Sequence, residues 1–157
     1  MNEDKELEQY KRIVEHYELC LSKLTFKKAF LLGFLCSKRM LTNYLIFCKK
    51  NDFGNINLAL EIQKRLNEVL FKTKKNVELK THIEMFYEND IPDLDDFGDV
   101  DGSYALYSGL SLIYLYEYYQ SQKIDNILNI FKGALEMIYM KMQEDLLDND
   151  LINDEFD

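Results

Sequence analysis

A single proline, Pro92, and six glycines punctuate 157 residues. So few chain breakers leave little room for the many short strands and tight turns of a β fold, and they favour long helices. The apolar residues agree. Leu7, Tyr10, Val14, Tyr17 and Leu21 recur at spacings of three and four, the period that lines one helix face, and predict a helix over 4–21. Thr25 is placed to cap a second helix running to Lys38, apolar around most of its circumference, which reads as a central element. Thr42 and Asn43 are placed to cap a third around Tyr44, Leu45, Phe47 and Cys48. A turn at 51–55 follows, in which Gly54 is able to take positive φ. Helices are also expected over 57–74, 78–87, 103–122 and 125–143. The stretch from Glu144 has the pattern of a last amphipathic helix or a docking tail. The expected fold is all-α: one compact single-domain bundle of about seven to eight helices over residues 1–157, long enough for one hydrophobic core.

Charge divides the chain. Residues 1–80 hold 16 Lys/Arg against 10 Asp/Glu, residues 81–157 hold 3 against 18, and the net charge is −9. Eight acids fall between Glu84 and Asp101 with no Lys or Arg among them, so residues 88–102 form an acidic loop. From Glu144 onward seven of fourteen residues are acidic, with Leu146, Leu147, Leu151, Ile152 and Phe156 interleaved. A field of this size selects and steers cationic partners. The first half carries the basic set: Lys27-Lys28, Lys38-Arg39, Lys49-Lys50, Lys72 and Lys74-Lys75. That set suits phosphate binding, a solvated face, or internal pairing with the acidic half.

Most chemistries find no footing. Cys20, Cys36 and Cys48 have spacings that fit neither a CxxC pair nor a zinc knuckle, and each sits in an apolar stretch, so buried reduced thiols are expected. An EF-hand read from Asp93 fails at position 5, which is Phe97, and at position 12, which is Tyr104. A di-iron bundle needs Glu-x-x-His twice, and neither His16 nor His82 has Glu three residues before it. There is no nucleophile elbow, no cysteine set against a histidine by the sequence, and no glycine-rich phosphate loop. No metal, cofactor or catalytic residue is therefore expected. The start MNEDKELEQY is unlike a secretory signal and no apolar run reaches the ~20 residues of a membrane span, which suggests the cytoplasm. Six tyrosines between Tyr104 and Tyr119 exceed what one helix buries, and Tyr favours interfaces.

Two stretches carry a family resemblance. Lys38-Arg39-Met40-Leu41-Thr42-Asn43-Tyr44, with Phe47 one turn on and Asp52-Phe53-Gly54 after it, is the first. Pro92-Asp93-Leu94-Asp95-Asp96-Phe97, followed by Ser103-Tyr104-Ala105-Leu106, is the second. Together they resemble the YjaG-like family of small bacterial all-helical proteins of unassigned function. Lys38 and Thr42 depart from that family's Glu and Pro. The resemblance implies a compact helical bundle and no catalytic residues.

The expected function is a non-catalytic acidic binding protein. In its most concrete form it is a bacterial immunity protein whose carboxylates occupy the phosphate-binding cleft of a basic nuclease toxin. Glu84, Glu88, Asp90, Asp93, Asp95, Asp96, Asp99 and Asp101 form the expected contact, with Asp145, Asp148 and Asp150 as second candidates. No nucleic acid or membrane is the expected partner. The alternatives are a homo-oligomer pairing its oppositely charged halves, as a self-associating housekeeping protein, and a nucleic-acid binder working through the basic half.

Overall fold

A computed structural model describes residues 3–71 and 77–154. Among these residues there are six α-helices and no strand: α1 Glu3–Leu21, α2 Phe26–Asn51, α3 Ile56–Phe71, α4 Val77–Asn89, α5 Val100–Ser121 and α6 Ile124–Asp154. The all-α expectation holds, and the count of seven to eight is corrected to six. The expected break at Thr42 and Asn43 is absent because the buried stripe Ala29, Phe30, Gly33, Phe34 and Ser37 continues without a phase change through Met40, Leu41, Tyr44, Phe47 and Cys48. A capping side chain acts only where the backbone leaves helical geometry, and nothing at 39–43 forces that. Likewise, residues 144–154 extend α6 rather than forming a helix of their own.

α2 does end where a turn was expected. Asp52 adopts the left-handed conformation with its N–H on the Cys48 carbonyl, and Gly54 follows at φ 67°. A side chain at Gly54 would also meet the Tyr44 hydroxyl at 2.6 Å, so this position needs glycine twice over.

α2 and α5 form the central pair, with α6 packed along both and α1 against α6. α5 is the more enclosed element, since it buries nine residues from Gly102 to Tyr118 and leaves no large apolar side chain exposed. α2 is less central than its composition implies, because Leu31, Leu32 and Leu35 remain 40–50% exposed. At the α2–α5 crossing the Ser37 hydroxyl donates to Ser111 Oγ at 2.7 Å, and Ser111 in turn donates to the Ser108 carbonyl at 2.6 Å. Buried hydroxyls are thus satisfied within the pair. Phe30, Tyr44, Phe86, Leu112 and Ile127 fill the surrounding core. Each such burial stabilises by roughly 1.5–3 kcal/mol. No described helix is long and apolar enough to cross a membrane.

Candidate acidic interface

The loop between α4 and α5 is acidic in sequence but held from within. α4 closes with the Asp90 N–H on the Phe86 carbonyl at 2.9 Å, and the buried Pro92 prevents further helix. The Tyr44 hydroxyl, from the middle of α2, donates to the Asp90 carbonyl at 2.7 Å. Asp93 then organises a turn. Its carbonyl accepts from the N–H groups of Asp96 and Phe97 at 3.1 and 2.9 Å, and its carboxylate accepts from the Asp95 N–H at 3.0 Å. Phe97 packs edge-on against Phe47 and Phe53, with centroids 5.0 and 5.2 Å away. Gly102 admits the loop backbone, since a side chain there would lie 2.1 Å from the Phe97 carbonyl. Asp99 caps α5 by accepting from the Gly102 N–H at 2.7 Å. α5 therefore starts at Val100, a little before the expected 103.

The structure sorts the expected contact residues. Asp93, Asp95 and Asp96 are exposed on the loop and, among the described residues, have no ion pair. Asp99 is exposed but engaged as the cap. Asp101 pairs with Lys50 of α2, so internal pairing of the two halves is partly realised. That bond favours the Lys50 ammonium and raises its pKa.

Asp90 does not belong to the surface set. It is 6% exposed, and burial pushes its carboxyl above the usual range although the Asn55 N–H hydrogen-bonds to it. Glu84 pairs with Lys80 at 3.6 Å, and it lies close enough to Tyr116 to add to the rise that burial gives that phenol. Tyr116 is fifteen residues along α5 from Asp101, about 22 Å of helix, so Glu84 stands apart from the loop. Glu88 is exposed one turn after Glu84.

Asp145 pairs with Lys141 at 2.9 Å. The side chains of Asp148 and Asp150 lie outside the described residues, as do Lys72, Lys74 and Lys75 and the end of the helix expected over 57–74. The Tyr104 hydroxyl, one turn beyond Asp101, reaches Glu144 at 3.5 Å. The loop and the start of the acidic tail therefore share one end of the bundle.

A family described as "Protein of unknown function (DUF416)" matches residues 17–157. The chain belongs to the DUF416 family. A solved DUF416 family protein from Shewanella baltica OS155 superposes with a TM-score of 0.72 at 22% identity, covering 79% of this chain and 63% of that one. The chain thus spans less than two thirds of that relative, and the likeness at this identity is one of fold. No curated protein matches. Within this DUF416 chain the two stretches singled out in sequence are architectural. Tyr44, Phe47, Phe53, Gly54, Pro92 and Phe97 are the residues that lock the loop to α2.

Among the described residues no group of three or more His, Cys, Asp or Glu side chains could hold a metal ion. The tyrosines of α5 do not form an exposed face: Tyr118 is buried and Tyr104, Tyr107, Tyr114, Tyr116 and Tyr119 are half-buried. The cysteines divide, with Cys48 buried, Cys36 half-buried and Cys20 exposed. Cys20 Sγ lies 3.5 Å from His16 Nε2, an approach missed in sequence although the i, i+4 spacing on a predicted helix announces it.

Proposed function

We propose that this DUF416 chain is a non-catalytic binding protein that offers the 93–101 loop to a basic protein partner. The observation that carries this reading is the contrast within the loop. Pro92 and Phe97 are packed inward while Asp93, Asp95 and Asp96 face solvent without an ion pair among the described residues. Carboxylates carried on an anchored loop backbone cost less ordering on docking, and their field speeds the approach of a cation-rich surface. The start of the tail at Glu144 extends the same end of the bundle. The sharpest form of the proposal is an immunity protein filling the cleft of a nuclease toxin by mimicking phosphates. Within DUF416, the Arg39-Met40-Leu41 and Pro92–Phe97 stretches favour a place among the YjaG-like proteins.

The test compares capture from one cell extract by the wild-type chain and by D93N/D95N/D96N. A basic protein held by the first and lost from the second at low salt supports the reading. Identical captured sets from the two baits contradict it. For the immunity form, the captured protein should cleave RNA or DNA and stop doing so with one equivalent of the chain.

A further inference from the structure

We propose that the outer face of α2 around Leu31 and Leu35 is the docking site for the acidic tail, residues 144–157, of a second copy of this chain. α2 carries six Lys/Arg and no Asp or Glu between Phe26 and Asn51. Leu31, Leu32 and Leu35 are 40, 42 and 50% exposed on its solvent side. Lys27-Lys28 and Lys38-Arg39 bracket them, eleven residues apart. That interval is close to three full turns, so both pairs flank the leucines on one side of the helix, about 16 Å from each other. All four cations are exposed and have no ion pair among the described residues. Lys50, further along, is already held by Asp101. An apolar centre set between cations fits an anionic, amphipathic occupant. Two such faces repel each other, which excludes contact of the face with itself.

The chain carries a segment that matches in both respects. From Glu144 to Asp157 there are seven acids and no Lys or Arg, with Leu146, Leu147, Leu151, Ile152 and Phe156 among them. The face cannot take this segment from its own molecule. A side chain at Gly133 of α6 would lie 3.6 Å from Met40 Cε of α2, and eleven residues on Glu144 reaches Tyr104, one turn beyond the Asp101 that holds Lys50. α6 thus runs alongside α2 in the same direction and comes level with its end near Glu144. The ten residues from there to Asp154 continue as helix, about 15 Å further from Leu31. Only another copy brings that tail to the face. Reciprocal exchange, in which each copy donates one tail and receives one, closes a dimer.

Sedimentation velocity of the full chain tests this pairing. Wild type should dimerise in low salt, with affinity at least about ten-fold weaker in high salt. L31S/L35S should weaken pairing about ten-fold or more in low salt. K28E/K38E/R39E should be monomeric because an acidic tail then meets an acidic face, and D148K/D150K/D154K should be monomeric for the converse reason. An equimolar mixture of these two variants should form a heterodimer, since each tail again meets a face of opposite charge. D93N/D95N/D96N should pair like wild type, which separates this contact from the role of the loop. A wild-type monomer in low salt would overturn the proposal, and if that monomer floats with phosphatidylserine vesicles the face belongs to a lipid surface instead. A mixture of the two charge-reversed variants that stays monomeric, with both helical by circular dichroism, would overturn it equally.

Discussion

The Tyr44 hydroxyl and the Asp90 carbonyl, 46 residues apart in sequence, share a buried hydrogen bond of 2.7 Å. It ties the centre of α2 to the point where α4 gives way to the acidic loop. Burial around Tyr44 is deep enough to drive its phenol far above the ordinary range, so it remains a donor at every pH the fold survives. Tyr44→Phe keeps the ring against Phe86 but strands the carbonyl. A loss of about 1–3 kcal/mol is expected in denaturant unfolding. Amide exchange should accelerate in residues 90–98 before it does in the α2–α5 pair.

Phe97 is the second anchor. Its ring closes a three-way edge-on cluster with Phe47 and Phe53. Phe97→Ala should cost about 2–4 kcal/mol, since the ring is half-buried rather than fully enclosed. Gly102→Ala should resemble it, because a methyl cannot share space with the Phe97 carbonyl. Chevron or equilibrium unfolding of both variants checks this. Wild-type stability for Gly102→Ala would contradict the close approach.

Asp90 gives a pH signature. Burial raises its carboxyl pKa in the folded state, so folding favours the protonated form. The favourable contribution is fully present below the ordinary carboxylate value and is lost as pH rises through the raised one. Asp90→Asn keeps an acceptor for the Asn55 N–H and cannot ionise. Its stability relative to wild type should therefore grow with pH across that window and then level off. A difference that stays flat from acid to neutral pH would show that Asp90 is solvated.

Much of the fold is written in local spacing. Val14 and Leu21 on α1, and Ile127, Ile130 and Met137 on α6, follow the helical period and are buried or half-buried, whereas Leu7 and Tyr17 of the same α1 stripe and Ile138 and Met142 of α6 are exposed. α2 was harder to read, because Thr42 and Asn43 look like caps unless the unbroken stripe from Ala29 to Cys48 is given precedence. The acidic loop was legible as charge, but not as a division of labour. Asp101 is engaged by Lys50, 51 positions earlier, and the segment at Asp90 is held by Tyr44, so long-range contacts decide which carboxylates remain available. His16 and Cys20 are the opposite case, a local pair that the sequence reading missed although their i, i+4 spacing on a predicted helix brings them together.

The exposed acids should be dispensable for folding. D93N/D95N/D96N keeps the turn, because Asn at 93 still accepts from the residue 95 N–H. Its unfolding free energy is expected within about 0.5 kcal/mol of wild type. A larger loss would mean that these carboxylates stabilise the bundle itself.

The docking role of the loop is tested most directly by association rates with the captured basic partner, measured at increasing salt for wild type and D93N/D95N/D96N. Steered docking predicts that the wild-type rate falls steeply with salt, and that the variant associates more slowly at low salt with a much shallower dependence. Equal rates and equal salt slopes for the two proteins would contradict it.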